Sequence, residues 1–142
     1  MPQSILKYMV FMGISFVSGM GVFLLWQSKA LSYLSDNPAA CANCHVMEIH
    51  YQRYLSTAHS RYATCNDCHT PPSSIRKILT KIKNGISHSY AFTTGNYREP
   101  LLITHFNQRV VEENCYVCHQ NLFFSHPISQ SCLLCHKSLG HS

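Results

Sequence analysis

The first pattern in the chain is an uncharged, apolar run over residues 8–28, with Lys7 before it and Lys29 after it. A helix of that length crosses the hydrocarbon core of a bilayer once. Tyr8 and Trp26 stand near its two ends, where aromatic side chains favour the membrane interface. A cleaved signal peptide is the alternative, but the run is long for one and no A-x-A-like site follows it. We therefore predict a membrane anchor over residues 1–29 and a second domain over residues 30–142.

A second helical pattern covers residues 74 to about 90. Apolar side chains recur there at helical spacing, and polar side chains fall on the opposite side. A solvated face would explain the lysines, whereas a purely structural helix needs no histidine there. The segment is therefore predicted to be an amphipathic helix whose polar side is either solvated or functional; the apolar members are Ile75, Leu79, Ile82 and Ile86, and the polar members are Lys77, Lys81, Asn84 and His88.

Shorter signals organise the rest of the chain. The segment "TPPSS", residues 70–74, interrupts the chain and can start a helix. The segment "TTGNYREP", residues 93–100, is typical of a turn and loop. Residues 106–119 are predicted to form another helix. Together these patterns predict a mainly α fold.

The spacing of the cysteines indicates which chemistry this fold supports. All eight cysteines fall into four C-x-x-C-H units, so none is left for a disulfide. One such unit could be chance or half of a zinc site, but four that use every cysteine are strong evidence for c-type haem attachment. The sequence therefore predicts four covalently bound haem c groups, attached at Cys41 and Cys44, Cys65 and Cys68, Cys115 and Cys118, and Cys132 and Cys135.

Four porphyrins leave little room for a normal side-chain core in residues 30–142. The predicted fold is therefore a single N-terminal transmembrane helix plus a small tetrahaem domain of short helices and loops wrapped around the haems. Covalent haem attachment takes place on the outer side of the bacterial cytoplasmic membrane, so this domain is expected to be periplasmic. The formal charge of +5 is balanced by haem propionates, and no nucleic-acid-binding motif is present.

Counting axial ligands identifies further candidate histidines. Four six-coordinate haems need eight ligands, and the attachment units offer at most four histidines. His59 and His141 are tethered closely to the second and fourth units, so each is expected to serve another haem: His59 the fourth and His141 the third. The motif histidines are His45, His69, His119 and His136, and the remaining candidates are His50, His88, His105 and His126.

These residues together resemble the NapC/NirT/NrfH family of membrane-anchored multihaem quinol dehydrogenases. The resemblance rests on the segments "CANCHVM", "STAHSRYATCNDCHTPP", "KIKNGISHSYAFTTG", "VVEENCYVCH" and "CLLCHKSLGH". It covers nearly all of the chain from residue 8. The single anchor, the four sites and the chain length are most similar to the small subunits of cytochrome c nitrite reductase.

The resemblance implies roles that spacing alone leaves open. In C-x-x-C-H-x-M, Met47 would ligate haem 1 in place of His45, and a thioether ligand tends to raise a haem potential. In K-x-x-x-G-x-x-H, Lys81 would lie in the quinol site, with Lys77 as its competitor. His88 stands where some members have an aspartate, on the distal side of haem 1, so here it could be a ligand. The eighth ligand is then His50, His105, His126 or a residue of a partner protein.

The function implied by the resemblance is electron transfer from menaquinol, through four haems, to a periplasmic pentahaem nitrite reductase catalytic subunit. The quinol is expected to enter from the bilayer, between the anchor and haem 1. One alternative is a related quinol dehydrogenase that feeds another reductase; such members tend to be longer at the C-terminus. A second is an electron-relay module with no quinol site. Nitrite reduction by this chain itself is disfavoured because its sequence contains no C-x-x-C-K unit. The protein is also a candidate for a larger oligomeric complex.

Overall fold

The structure is a computed structural model, and it describes residues 2–125, 131–136 and 139–141. These residues are mainly helical, as the sequence predicts, and no strand occurs in the described part of the chain. Contacts divide the chain into two compact units, residues 1–35 and residues 36–142.

The first unit contains helix α1, Gln3–Gln27, followed by a 3₁₀ turn, Ala30–Leu34. The 25 residues of α1 span about 37 Å, which exceeds the roughly 30 Å hydrocarbon thickness of a bilayer. No side chain of α1 is buried within the protein. The helix is thus long and apolar enough to cross a membrane, as predicted.

The described residues of the second unit form five short to medium helices and three 3₁₀ segments. Its longest helix, Ser74–Thr94 (α4), was predicted to end near Tyr90 but continues to Thr94. It ends there because Gly95 adopts a left-handed conformation with φ 68°, which glycine takes without steric cost. The helix predicted over residues 106–119, which contains the third attachment unit, is confirmed as His105–His119 (α5). The helices are α2, His45–Leu55; α3, Cys65–His69; α4, Ser74–Thr94; α5, His105–His119; and α6, Cys132–Cys135, and the 3₁₀ segments are Pro38–Asn43, Ala58–Arg61 and Gln120–Ser125.

This unit buries few apolar side chains by itself. Among the described residues, Tyr54, Pro71 and Val110 are the apolar ones that are buried. The Tyr54 hydroxyl donates a hydrogen bond to the Ala63 carbonyl at 2.7 Å and so holds the segment between α2 and α3. Polar contacts therefore carry much of the packing between these elements.

One buried amide joins α5 to the end of α3. Asn114 is 6% exposed, and its Nδ2 donates to the carbonyls of Cys68 at 3.0 Å and Thr70 at 2.9 Å. A buried amide with two carbonyl partners is satisfied and gives the contact a defined geometry. It sets the second attachment unit beside the third, although their sequences are far apart.

Candidate functional site

Each of the four attachment units has its own local structure. The second unit forms all of α3, whose N-terminus is held by a reciprocal capping box between Thr64 and Asp67. The third unit forms the last turn of α5, and the cysteines of the fourth unit are the ends of α6. In the first unit, Cys41 lies in the 3₁₀ segment Pro38–Asn43, Cys44 follows that segment, and His45 opens α2.

The eight cysteines are free thiols, and neighbouring units approach one another through them. Cys41 and Cys65 are hydrogen-bonded, which lowers the pKa of the Cys41 thiol and raises that of Cys65. Burial, together with the nearby Cys132 and Cys68, raises the pKa of Cys115 to about 11. The first unit thus adjoins the second, the second adjoins the third, and the third adjoins the fourth.

Among the described histidines of residues 36–142, ring contacts define two groups. The His141 ring lies 4.9 Å from the His50 ring and 5.8 Å from the His69 ring, between centroids. Burial, together with the nearby His141 and His50, lowers the pKa of His69 to about 4. The His59 and His119 rings form the other group, with centroids 6.2 Å apart.

Two of the predicted ligands, His59 and His141, lie beside other histidines than the sequence analysis expected. We expected His59 at the fourth haem, with His136, and His141 at the third, with His119. The structure brings His59 beside His119, and His141 beside His69 and His50. Which haem each histidine would ligate stays a prediction.

The other predicted ligands have simpler surroundings. Met47 is half-buried in the first turn of α2, whereas His45 is exposed. His88 and His136 are also exposed. His126 lies outside the described residues.

The two candidate quinol-site lysines converge on one carboxylate, Asp36. Lys77 Nζ lies 2.6 Å from Asp36 Oδ2, and Lys81 Nζ lies 3.2 Å from Asp36 Oδ1. The Lys81 side chain is only 6% exposed, whereas that of Asp36 is 53% exposed. Burying an ammonium group is costly unless it is paired, so Asp36 helps Lys81 to occupy this position. Lys81 is also close enough to Cys41 for its charge to lower the pKa of that thiol.

Sequence reasoning did not single out Asp36. It is one of only six acidic residues and lies five positions before the first cysteine, which is the signal that could have identified it. Hydrogen bonds from Lys77 and Lys81 lower the Asp36 pKa from 3.8 to about 2. Asn66 of α3 also donates to its Oδ1, at 2.7 Å. Asp36 thus ties both lysines to the second attachment unit.

We expect the Asp36 contacts to make part of the stability pH-dependent. Because the folded-state pKa is depressed, this contribution is present above the unfolded-state value and is lost as pH falls through about 2. The effect is small because the carboxylate is half exposed to screening solvent. Urea midpoints of the wild type and Asp36→Asn, measured from about pH 5 to about pH 2, should converge as the solution is acidified. If the difference between the two urea midpoints stayed constant over this pH range, Asp36 would make no pH-dependent contribution to stability.

The residues present fit covalently bound haem c. Every attachment unit offers two cysteines that form no disulfide, and the described histidines include closely spaced rings. The His50 Nδ1 is buried and has no hydrogen-bond partner among the described residues, as expected of a polar atom that belongs to a ligand-binding region. A fold whose described residues bury only three apolar side chains also suits porphyrins as its apolar core.

Anchor helix, attachment units and histidines together define a membrane-anchored c-type cytochrome. A sequence profile of the NapC/NirT cytochrome c family, N-terminal region, matches residues 1–138. The chain therefore belongs to the NapC/NirT cytochrome c family, and the resemblance seen in the sequence is confirmed.

Individual relatives agree with this assignment. The chain is 43% identical over 105 residues to the cytochrome c-type protein NrfH of Wolinella succinogenes, covering 73% of this chain and 59% of that one. It is 35% identical over 92 residues to the cytochrome c-type protein TorY of Escherichia coli O157:H7, covering 61% of this chain and 25% of TorY. The matches thus span less than two thirds of these relatives.

A solved structure shares the fold. A chain in the crystal structure of the cytochrome c nitrite reductase NrfHA complex bound to the HQNO inhibitor superposes with a TM-score of 0.66. The match covers 87% of this chain and 86% of that chain at 24% sequence identity.

Proposed function

We propose that this chain is a tetrahaem quinol dehydrogenase that oxidises menaquinol and passes electrons to a periplasmic pentahaem nitrite reductase catalytic subunit. The observation that carries the proposal is the buried Lys81, held by Asp36 close to the first attachment unit. Family membership and the 43% identity to an NrfH protein support the same function.

Lys81 would act on the quinol through its charge. Menaquinol loses two protons and two electrons when it becomes menaquinone, and negative charge develops on its oxygen as each proton leaves. An ammonium in a largely buried position stabilises such charge more strongly than one in water. Asp36 positions this group, while Lys77 shares the same carboxylate from a more exposed place. The released protons would leave on the periplasmic side.

The haem-binding roles follow the attachment units. Bound haem c would supply one-electron chemistry, with potentials tuned by axial ligands. Met47 would hold the first iron, with His88 as the candidate distal group. The sequence-based assignment is that His69 would serve the second, His119 and His141 the third, and His136 and His59 the fourth, whereas the ring contacts place His59 beside His119 and His141 beside His69. The second iron lacks an assigned distal ligand, which His50, His105, His126 or a partner residue would supply.

The adjacency of the attachment units supports electron transfer along the chain. Contacts link the 3₁₀ segment of the first unit to α3 of the second, α3 to α5 of the third, and α5 to α6 of the fourth. A continuous series with a quinol site near its first member is the arrangement that a quinol dehydrogenase needs. Electrons would leave from the series to the catalytic subunit on the periplasmic side.

The proposal is tested with the full chain reconstituted in liposomes. A menaquinol analogue should reduce the haems, followed by their visible absorbance. Addition of nitrite should reoxidise them only when the nitrite reductase catalytic subunit is also present. No reduction by the quinol would overturn the dehydrogenase and favour a relay module. Reduction without nitrite-dependent reoxidation would overturn the proposed partner and favour another reductase.

A further inference from the structure

Helix α3, which forms the second attachment unit, depends on bonds from outside itself. A helix of five residues is too short to be stable alone. Its N-terminus is held locally, by the capping box of Thr64 and Asp67. Its C-terminal end is held by Asn114 of α5, whose Nδ2 donates to the carbonyls of Cys68 at 3.0 Å and Thr70 at 2.9 Å. The position of the second attachment unit is therefore set in part by α5.

Asn114 is placed where it can act on two haems at once. It directly precedes Cys115, the first cysteine of the third attachment unit. The Cys68 carbonyl that it binds belongs to the peptide bond leading into His69, the predicted ligand of the second iron. One side chain thus connects the backbone of an iron ligand of the second haem to the backbone of a thioether site of the third.

This connection is buried. Asn114 is 6% exposed, and Thr70 is buried to the same extent. A side-chain amide nitrogen carries two N–H donors, which matches the two backbone carbonyls it meets. Hydrogen bonds are electrostatically stronger in such surroundings than in water, and a buried carbonyl that loses its donor is destabilised. The amide of Asn114 therefore gives the contact between α3 and α5 one preferred geometry, which an apolar side chain would not specify.

The other two junctions between consecutive attachment units are more exposed. Between the first and the second, Asn66 donates to Asp36, whose side chain is 53% exposed. Between the third and the fourth, Ser131 donates to Glu112, and this pair is only partly buried. The junction between the second and third attachment units is thus the one that a buried donor holds.

We propose that Asn114 is a positioning residue shared by two haems: it fixes His69 relative to Cys115, and so sets the arrangement of the second and third haems for electron transfer between them. This inference rests on the haem-binding roles in the proposed function. Side chains that hold an iron ligand from outside the coordination shell orient that ligand and tune the metal. Loss of the amide should therefore change the second and third haems together and leave the first and fourth unchanged.

The test compares the full chain with its haems, purified without quinol or nitrite, as wild type and as Asn114→Leu. Leucine keeps the branched shape of asparagine but has no donor. Low-temperature EPR of the oxidised protein distinguishes the ferric haems by their g values, and a potentiometric titration gives their midpoint potentials. Asn107→Leu is the matched control, because Asn107 is an amide of the same helix that accepts, at 3.1 Å, from Asn84 of α4. Intact-mass spectrometry counts the haems in each variant.

We expect the g values and midpoint potentials of two of the four haems to shift in Asn114→Leu, and none to shift in Asn107→Leu. Asn114→Gln is made as well, because it keeps both donors but displaces them by one methylene group; the same two haems should shift. Shifts in fewer or more than two haems, in a position-114 variant that carries all four, would overturn the proposal. Loss of haem from both position-114 variants would overturn it in favour of a role in attachment alone. None of these readouts requires quinol turnover, so failure here is distinguishable from failure of the proposed function.

Discussion

Replacing Lys81 with alanine is expected to slow quinol-dependent haem reduction by about 100-fold, the loss seen when one buried charge-stabilising donor is removed from an active site. The Lys81 side chain is 6% exposed and lies 3.2 Å from Asp36, so its charge acts in a partly desolvated position. Loss of the ammonium removes stabilisation of the developing quinolate. The measurement is stopped-flow absorbance of the full chain in liposomes after addition of a menaquinol analogue.

Lys77→Ala is the matched control, because Lys77 contacts the same carboxylate but is more exposed. It should lose much less rate than Lys81→Ala. Lys81→Arg keeps the charge and should recover part of the rate, which a purely structural role would not explain. Equal rates in the wild type and Lys81→Ala would remove Lys81 from the mechanism. A larger loss in Lys77→Ala would transfer the role to Lys77.

Replacing both Cys132 and Cys135 with serine is expected to lower covalently bound haem from four groups to three per chain. Serine cannot form the thioether bonds that a C-x-x-C-H unit provides. These cysteines are the two ends of α6, which packs against α5. The substitutions leave the cysteines of the other three attachment units unchanged. Intact-mass spectrometry of the denatured protein counts the haems directly.

Leu134→Ser is the matched control for this variant. It changes an exposed spacer residue inside the same unit and leaves both thiols in place. It should keep four haems. A wild-type mass with fewer than four haems would refute the predicted count, and an unchanged mass in the double cysteine variant would remove the fourth unit from haem attachment.

Much of the architecture was predictable because it depends on neighbouring residues. The apolar run gives α1, the helical spacing of residues 74–90 gives α4, and the segment before Cys115 gives α5. The C-x-x-C-H units were readable for the same reason, since attachment chemistry is contained within five consecutive residues. The end of α4 was placed too early because "TTG" looked like a turn, whereas only Gly95 leaves the helical conformation.

The orientation of α4 required the tertiary structure. Its amphipathic pattern was visible in the sequence, but the pattern alone does not say which side is buried. The polar side is turned inward because Asp36, Asn107 and Glu113 offer it partners. The buried Lys81 depends on a residue 45 positions away.

The contacts between histidines also required the tertiary structure. The sequence by itself determined the family, the anchor helix and the four attachment units, since each is written in a short run of residues. The tertiary structure decided that His141 lies beside His50 and His69, that His59 lies beside His119, and that Asp36 joins the two lysines. These contacts join segments distant in the sequence. They form only when the short helices pack together, and no local pattern of hydrophobic and polar residues encodes which distant side chains will meet.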